Sequence, residues 1–404
     1  MTTIHPSISS WKVAFLLSYI CIASVSAAII TPALPAIEQH YALSHGALEW
    51  VISIFLFGYV AGQLLYGPIA NRYGRLVALR SGLVINLLGI SLCIVATMLN
   101  SFALLLVGRL VTALGAASGL ACTFMLLNEL LPPERARHAM SFAVISFTVG
   151  VGIAVTLGGL VTQYIGWQAC FWLLLAHGVF MLAGSWSFQE TLTQPVALNP
   201  RTILVGYGQA LKSPTLIVFS LMAGLLSTFT YSYSAAAPVY TQLHLHLTPS
   251  QYGYWNLLNT LGMTASGLLG ARLMKLYGPK NVLWLGLSLL LPTFISLISL
   301  SVSEHATPLW FFITTMFGYL FSGFLFPAAS FFASNAITDK ASASSMMSFI
   351  NMGSATVCVI ILGYLPLPPI QAFVVVFGAF FIIEVLLVSL LAYSQRTAAV
   401  QAGV

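Results

Sequence analysis

Charged residues are scarce in this chain of 404 residues. Asp, Glu, Lys and Arg together make up 5% of the sequence, whereas apolar residues make up 59%. A typical soluble domain carries about 25% charged residues, because its surface faces water. Helices with so few charges have no polar face to turn to water. The composition therefore excludes a soluble protein and predicts an integral membrane protein.

The sequence also lacks the short polar–apolar alternation that is typical of a membrane β-barrel. Its apolar runs are long and uninterrupted, and a helix needs about 20 such residues to cross a bilayer. The predicted fold class is therefore all-α integral membrane, with twelve transmembrane helices. The predicted spans are 11–34, 47–69, 77–99, 102–127, 138–164, 167–189, 214–237, 250–273, 281–302, 307–333, 343–364 and 369–393.

Motifs of several other protein classes are absent. The sequence contains no phosphate-binding loop of the form G-x-x-x-x-G-K-[ST], so ATP is not expected as the direct energy source. It contains no HExxH motif, and its five cysteines lie in apolar runs without a CxxC pair. We expect no cofactor, no metal and no enzymatic activity. An intramembrane enzyme and a channel are the alternative classes.

The formal net charge is +6, and the basic residues are distributed unevenly along the chain. With the N-terminus in the cytoplasm, every Lys and Arg except Arg109 falls on the cytoplasmic side, as the positive-inside rule requires. This distribution explains the basic balance without a nucleic-acid partner. The cytoplasmic set is Lys12, Arg72, Arg75, Arg80, Arg135, Arg137, Arg201, Lys212, Arg272, Lys275, Lys280, Lys340 and Arg396.

The two halves of the chain are weakly alike at an offset of about 204 residues. Tyr73-Gly74 matches Tyr277-Gly278, and Ser44 before the second span matches Thr248 before the eighth. Thr248 also starts a predicted capping box. A parallel repeat of this kind predicts two pseudo-symmetric six-helix bundles. Their predicted boundaries are 1–189 for the N-terminal bundle, 190–213 for a cytoplasmic linker and 214–404 for the C-terminal bundle.

The loop after the second span carries the clearest motif. It reads Gly67-Pro-Ile-Ala-Asn71-Arg72-Tyr-Gly74-Arg75 and resembles the signature loop G-x-x-x-D-R-x-G-R of major facilitator transporters. We expect Gly67 to permit close helix approach and Gly74 to permit a tight turn. In the family the acidic residue anchors a charge relay that steadies the outward-facing state. Here Asn71 replaces it and carries no charge.

Further segments extend the resemblance over nearly the whole chain. Gly108-Arg109-Leu-Val-Thr112 is similar to the family's R-x-x-Q-G motif, and Gln189-Glu-Thr-Leu192 to the ending of its sixth span. Pro32-Ala-Leu-Pro35 is similar to the bicyclomycin/chloramphenicol-type drug/proton antiporters. The resemblance implies a monomeric, proton-coupled secondary transporter in the cell membrane (the bacterial inner membrane), with both termini cytoplasmic. It implies a site for a small-molecule solute near the midplane between the bundles, and alternating access.

Two departures concern the mechanism. Those exporters often carry an acidic residue four positions before the first Pro of P-A-L-P, and that position here is Ala28. Their fifth span usually contains Gly-Pro before x-x-G-G, and Ala154-Val155 stand there instead. Both departures weaken the interpretation of this chain as a drug/proton antiporter, so symport, uniport and import remain alternative mechanisms.

Ionisable residues inside the membrane are costly and usually functional. Arg109 lies well inside the fourth span, His177 inside the sixth and Glu384 inside the twelfth, while Glu49 lies near the outer end of the second. Arg109 is the predicted binding residue for a carboxylate or phosphate, because a guanidinium binds these groups in bidentate fashion. The alternative role is bonding to backbone carbonyls at a broken helix turn. Glu49, Glu384 and His177 are the proton-coupling candidates.

Other polar residues recur at helical spacing along the spans, as helix packing would also require. The predicted substrate-binding set is completed by Thr112, Tyr59, Gln63, Tyr231, Trp255, Asn256, Asn259 and Asn351. Outer-loop histidines could bind a metal or sense pH, although solvated loop histidines are commoner. These are His40, His45, His244 and His246.

The predicted function is secondary transport of a small organic, anionic solute on an exporter-like scaffold. The argument is that Arg109 has no acidic residue to balance it on spans 1, 4, 7 or 10. The first alternative is import of an anionic nutrient, such as a carboxylate-type siderophore or metabolite. The second is multidrug/proton efflux.

Overall fold

The structure is a computed structural model that describes residues 8–195 and 200–401, and in these ranges it contains helices and no strand. Two short 3-10 turns lie at Thr31–Ala33 and Ser185–Ser187. The helices are α1 Ser10–Ser18, α2 Cys21–Ala28, α3 Leu34–Tyr41, α4 His45–Tyr73, α5 Arg75–Met98, α6 Phe102–Leu130, α7 Pro133–Ser141, α8 Ala143–Tyr164, α9 Ala169–Gly184, α10 Pro200–Ala210, α11 Pro214–Leu243, α12 Pro249–Trp255, α13 Leu257–Val302, α14 Pro308–Ser334, α15 Lys340–Tyr364 and α16 Pro369–Gln401.

Eleven helical segments in the described ranges are long and apolar enough to cross a membrane. One of them, Pro249–Val302, has 54 residues, more than twice the roughly 20 that one crossing needs. Gly278 interrupts it with a non-helical backbone at φ 77° and ψ 160°. This segment therefore supplies two crossings, and the prediction of twelve transmembrane helices is confirmed.

The first span is broken, whereas the sequence predicted one helix over 11–34. The α-helix ends at Ala28, and a 3-10 turn follows before α3 begins at Leu34. Proline has no N–H and its ring clashes with the carbonyl four residues earlier, so Pro32 and Pro35 end the regular helix here. The carbonyl of Ala28 accepts a hydrogen bond from the Thr31 hydroxyl at 2.7 Å instead.

The predicted helix starts and turns are present in both repeats. The Ser44 side chain accepts the backbone N–H of Ala47 at the start of α4. The Thr248 side chain forms a full capping box with Gln251. Gly74 separates α4 from α5 at φ 122°, a conformation that glycine tolerates best. The prediction of a tight turn at Gly74 is therefore confirmed.

Small residues bring α6 close to its neighbours. A side chain at Gly58 of α4 would begin 2.5 Å from the Leu110 carbonyl oxygen, and one at Gly115 would begin 2.2 Å from the backbone nitrogen of Asn86 in α5. Gly67 is different, because a side chain there would meet no atom within 4 Å. The prediction that Gly67 permits close helix approach is therefore wrong, since no described residue lies close to this face of α4.

The chain forms two compact units. The first contains Met1–Leu198 and Thr241–Thr260, and the second contains Asn199–Tyr240 and Leu261–Val404. The end of α11, the following loop and α12 therefore pack with the first unit, although the repeat assigns them to the C-terminal half. The bundle boundaries at 1–189, 190–213 and 214–404 stay a prediction.

The predicted linker contains a helix. In the second unit α10 packs against the start of α15, with Ala210 buried among Leu216, Ala343 and Met346. A side chain at Gly206 would begin 2.4 Å from the Ser342 hydroxyl oxygen, so a small residue is required for this contact. Residues 200–210 are therefore an ordered part of the second unit.

Candidate functional site

Arg109 is the largest of the fully buried side chains in the described residues, with 1% of its surface exposed. Its Nη1 donates to the Ser26 carbonyl of α2 at 2.7 Å, and its Nε donates to the Val51 carbonyl of α4 at 3.3 Å. The guanidinium carbon lies 4.3 Å from the centre of the Phe55 ring, within the range of a cation–π contact. One side chain of α6 thus ties together α2 and α4.

The contact with Ser26 follows from the break in the first span. Ser26 lies in the last turn of α2, where carbonyl groups lack the N–H of a following helical turn. Arg109 supplies a donor to one of them, so the bonding role that the sequence left as an alternative is present. In the described part of the chain, no carboxylate lies within ion-pair distance of Arg109. Backbone dipoles and an aromatic ring therefore stabilise the guanidinium, and no described side chain supplies a countercharge.

Thr112 has different neighbours from Arg109. Its hydroxyl donates to the Gly108 carbonyl of its own helix at 2.7 Å, and its carbonyl accepts from Nδ2 of Asn86 in α5 at 2.9 Å. A side chain at Gly89 of α5 would meet Thr112. The two residues share a side of α6 by sequence spacing, yet Arg109 contacts α2 and α4 whereas Thr112 contacts α5.

Tyr59 and Gln63 lie one turn apart on α4 in the first unit. Tyr59 is buried and Gln63 is half-buried, and the Tyr59 hydroxyl lies beside the Gln63 side chain. Helical spacing places such a pair on one face. The structure therefore brings these two predicted residues together.

The predicted residues of the eighth span lie where α12 meets α13, also within the first unit. The backbone stays helical at this junction, with φ −66° and ψ −11° at Asn256. Asn256 and Asn259 are buried there, and Nδ2 of Asn259 donates to Oδ1 of Asn256 at 2.9 Å, while Trp255 is half-buried. The Thr156 hydroxyl of α8 donates to the nearby Gly253 carbonyl at 3.2 Å. The structure therefore places these residues on a helix that contacts α8.

The remaining predicted binding residues belong to the second unit. Tyr231 on α11 and Asn351 on α15 are both buried there, with 9% and 3% exposed. Their part in binding stays a prediction.

The three proton-coupling candidates differ in their surroundings. Glu49 is buried in the second turn of α4. His177 on α9 is half-buried, and its neighbours Ala176 and Val179 are exposed. Glu384 on α16 is completely buried, and neither of its carboxylate oxygens has a hydrogen-bond partner among the described residues.

The signature loop belongs to a charge cluster at one end of the first unit. Arg75 donates from Nη2 and Nε to the Glu129 carboxylate at 2.7 and 2.9 Å, and from Nη1 to the Ala70 carbonyl at 2.9 Å. The Thr191 hydroxyl donates to the same Glu129 carboxylate. Arg72 is exposed and has no ion pair with any of the described residues. Glu129 therefore joins the signature loop to the chain after α9.

Glu190 caps the helix that follows the signature loop. Its carboxylate accepts the backbone N–H groups of Arg75 and Leu76 at 2.8 and 2.9 Å, and those of Thr191 and Leu192 at 2.9 and 3.1 Å. Partial desolvation alone would raise the pKa of Glu190, but the four backbone bonds together lower that pKa. The sequence showed Glu190 only as part of a motif, and its contact with the start of α5 was not predicted because the two segments are far apart in the chain.

Metal binding has no support in the described residues, where no group of three or more His, Cys, Asp or Glu side chains could hold an ion. His40 packs edge-on against Trp167, with ring centres 5.3 Å apart. The side chain of His45 lies outside the described residues.

Twelve membrane helices, with related signature loops in the two halves, are the architecture of a secondary transporter. The family model described as Major Facilitator Superfamily matches residues 16–355 and 221–402. The chain belongs to the Major Facilitator Superfamily.

Curated relatives include proteins named for drug resistance. The chain is 28% identical over 190 residues to Multidrug resistance protein D of Escherichia coli (strain K12), which covers 46% of this chain and 47% of that protein. It is 23% identical over 266 residues to the Bicyclomycin resistance protein homolog of Haemophilus influenzae (strain ATCC 51907 / DSM 11121 / KW20 / Rd), which covers 64% and 65%. The chain thus spans about half to two thirds of the length of these relatives.

Solved structures share the fold. The chain is similar to a D-xylose-proton symporter, with a TM-score of 0.72, 16% identity and coverage of 94% of this chain and 97% of the other. It is also similar to the peptide transporter POT in complex with sulfate, with a TM-score of 0.77, 14% identity and coverage of 97% of both chains. At this identity the similarity concerns the fold alone.

Proposed function

We propose that the protein is a secondary transporter of a small organic solute that carries a carboxylate or another anionic group. The observation that carries the proposal is Arg109, a fully buried cation for which the described chain provides no carboxylate partner. In a low-dielectric interior an unbalanced positive charge attracts an anion far more strongly than it would in water. Lipophilic cations are repelled by the same charge.

The geometry of Arg109 leaves it capable of both a structural and a binding role. Its two hydrogen bonds to described residues use Nε and one N–H of Nη1, and a guanidinium has five N–H donors. The donors of Nη2 therefore stay available for a solute. Tyr59, Gln63, Thr112, Trp255, Asn256 and Asn259 of the first unit, with Tyr231 and Asn351 of the second, are the proposed polar contacts that would determine specificity.

Coupling to a proton gradient is part of the proposal. The chain has no ATP-binding loop, so an ion gradient is the natural energy source. The proposed cellular location is the bacterial inner membrane, with both termini in the cytoplasm and the protein acting as a monomer. Import of a carboxylate-type siderophore or metabolite and export of an anionic product both fit this proposal, because the direction depends on the gradient and the coupling.

Multidrug efflux is the second candidate function. The names of two relatives, Multidrug resistance protein D and Bicyclomycin resistance protein homolog, favour it. The buried position of Ala28, where the exporters often have an acid, weighs against it for cationic drugs.

Ligand-induced thermal shift in detergent separates the two functions. Citrate and ethidium are the probes, and the wild type is compared with Ala28→Asp. The Ala27→Asp variant is the matched control, because it adds the same acid in the same turn at a half-buried position on another face of α2. We expect citrate to stabilise the wild type and the control, and to stabilise Ala28→Asp less. Stabilisation of the wild type by ethidium, with no response to citrate, would favour multidrug efflux over transport of an anionic solute.

A further inference from the structure

Glu384 lies on the buried face of α16. The residues that share this face are Phe377, Phe381 and Val388, all apolar and all buried, whereas Ile383 on the opposite side is exposed. Glu384 itself has no exposed surface, and neither carboxylate oxygen has a hydrogen-bond partner among the described residues. An acidic side chain therefore occupies a position that packing alone would fill with an apolar residue.

The surroundings of Glu384 on the other helices can be traced through its neighbours one turn away. Phe381 packs against Phe294 of α13, with ring centres 6.4 Å apart. The tip of the Phe380 ring lies 3.5 Å from the position that a Gly224 side chain on α11 would occupy, and Ser354 of α15 lies 2.5 Å from the same position. Glu384 thus lies beside the meeting point of α11, α13, α15 and α16, all within the second unit.

The membrane-spanning parts of the helices in the second unit offer no charged partner to Glu384. The sequence contains no Asp, Glu, Lys, Arg or His at 214–243, 281–302, 308–334 or 341–364. The titratable side chains within these ranges are hydroxyl and thiol groups, namely Tyr231, Tyr233, Tyr240, Tyr319, Tyr364 and Cys358. The basic residues elsewhere on α13, α15 and α16 all belong to the predicted cytoplasmic set, namely Arg272, Lys275, Lys280, Lys340 and Arg396. Glu384 is the one acidic residue in a membrane-spanning part of the second unit, and none of these ranges supplies a cation to balance it.

Burying an ionised carboxylate without a partner costs several kcal/mol, and the group is protonated instead. Glu384 makes no hydrogen bond that would give it a structural role, which distinguishes it from Arg109 with its two backbone contacts. An ionisable residue that is costly and makes no stabilising contact is expected to serve function. The property that Glu384 has and an apolar residue lacks is the ability to bind and release a proton.

We propose that Glu384 is the proton-binding site that couples transport to a proton gradient, held as a neutral carboxylic acid within the second unit. This inference rests on the proposed function, because it assigns the coupling residue of that transporter. It selects Glu384 over Glu49 and His177. The chemical class of the ligand is the proton, and its release requires a rearrangement that brings water or a base to the carboxyl group.

The first test is chemical and does not depend on knowing the solute. Dicyclohexylcarbodiimide is a lipophilic reagent that adds to protonated carboxyl groups in an apolar environment. The full-length protein in lipid vesicles is treated with it, digested and analysed by mass spectrometry. We expect a label on Glu384 and none on Glu304, which is exposed. An unlabelled Glu384 under conditions that label other buried carboxyl groups overturns the proposal.

The second test separates coupling from solute movement. Proteoliposomes are assayed with labelled citrate for exchange at equal pH and for accumulation driven by a pH gradient of about one unit, which can support about tenfold accumulation per coupled proton. We expect Glu384→Gln to retain exchange and to lose the gradient-driven accumulation. Ser389→Ala is the matched control, because Ser389 is exposed on the same helix and its hydroxyl contacts only the Val385 carbonyl.

The outcomes distinguish this inference from the proposed function. Gradient-driven accumulation by Glu384→Gln at the level of the wild type overturns the coupling role, and so does loss of exchange and accumulation together in a variant that keeps its melting temperature. If Glu384→Gln does not fold, the carbodiimide label on the wild type decides. If the wild type does not move citrate but Glu384 is labelled, the anionic solute is wrong and the proton site stands.

Discussion

Arg75 and Arg72 lie three residues apart in the signature loop, and the structure predicts that they contribute very differently to stability. Arg75 forms a two-pronged ion pair with Glu129 and also donates to the Ala70 carbonyl at the end of α4. Arg72 is exposed and makes no such contact. Substituting each by alanine therefore compares a bonded arginine with a matched control from the same loop.

The magnitude follows from the contacts that the three guanidinium nitrogens of Arg75 make with Glu129 and Ala70. A hydrogen bond to a charged group contributes about 1.5–3 kcal/mol when it is shielded from water, whereas an exposed ion pair contributes about 0–1 kcal/mol. The side chains of Arg75 and Glu129 are 13% and 32% exposed, so the value lies between these limits. We expect Arg75→Ala to lower the free energy of unfolding by about 2–3 kcal/mol and Arg72→Ala by less than about 0.5 kcal/mol.

Thermal unfolding of the purified protein in detergent measures the difference. With about 2 °C per kcal/mol for a chain of this size, Arg75→Ala should lower the melting temperature by about 5 °C. A double-mutant cycle with Glu129→Ala should give a coupling energy of about 1–2 kcal/mol, because the two side chains are in direct contact. Equal effects of Arg72→Ala and Arg75→Ala, or a coupling energy near zero, would refute the reasoning.

Three further predictions concern the same unit. Glu190→Gln should lower the melting temperature at neutral pH. The pKa of Glu190 is lowered in the folded protein, so its carboxylate stabilises the fold above the ordinary carboxyl pKa, and this stabilisation disappears as the pH falls through the lowered pKa. The melting temperatures of the wild type and the variant should therefore converge on acidification. Gly74→Ala should destabilise the protein by about 1–3 kcal/mol, because φ is 122° and the new side chain would begin 2.5 Å from Glu190; a melting temperature within 1 °C of the wild type, on the order of experimental error, would contradict this. Arg109→Lys should lose more stability than Arg75→Lys in the same detergent assay, because one ammonium group cannot reach the carbonyls of Ser26 and Val51 together.

The helical architecture was predictable from the sequence, because a chain in lipid must satisfy its backbone within helices and long apolar runs mark where they lie. The capping box at Thr248 and the turn at Gly74 were equally predictable, since both depend on local residue chemistry. The break in the first span was not predicted, although Pro32 and Pro35 were visible, because the helix pattern continues through them. The helix at 200–210 was missed because the segment is short and flanked by polar residues.

Long-range partners were the part of the site that the sequence could not supply. Nothing near Arg109 in the chain indicates Ser26 or Val51 as its acceptors, and nothing near Glu190 indicates that it caps α5. The sequence also did not predict that residues 241–260 pack with the first unit, because the local residue pattern does not indicate which unit a helix joins. Such contacts depend on the tertiary arrangement of helices that are far apart in the sequence.

Solute movement by the purified protein in proteoliposomes with an imposed pH gradient tests the central claim most directly. The panel contains citrate and a dicarboxylate as anions and ethidium as the cation, and Arg109→Gln is measured beside the wild type. The claim predicts saturable, gradient-dependent movement of an anion by the wild type and its loss in Arg109→Gln, with no movement of ethidium. Movement of ethidium without any anion, or an anion flux that Arg109→Gln leaves unchanged, would contradict it.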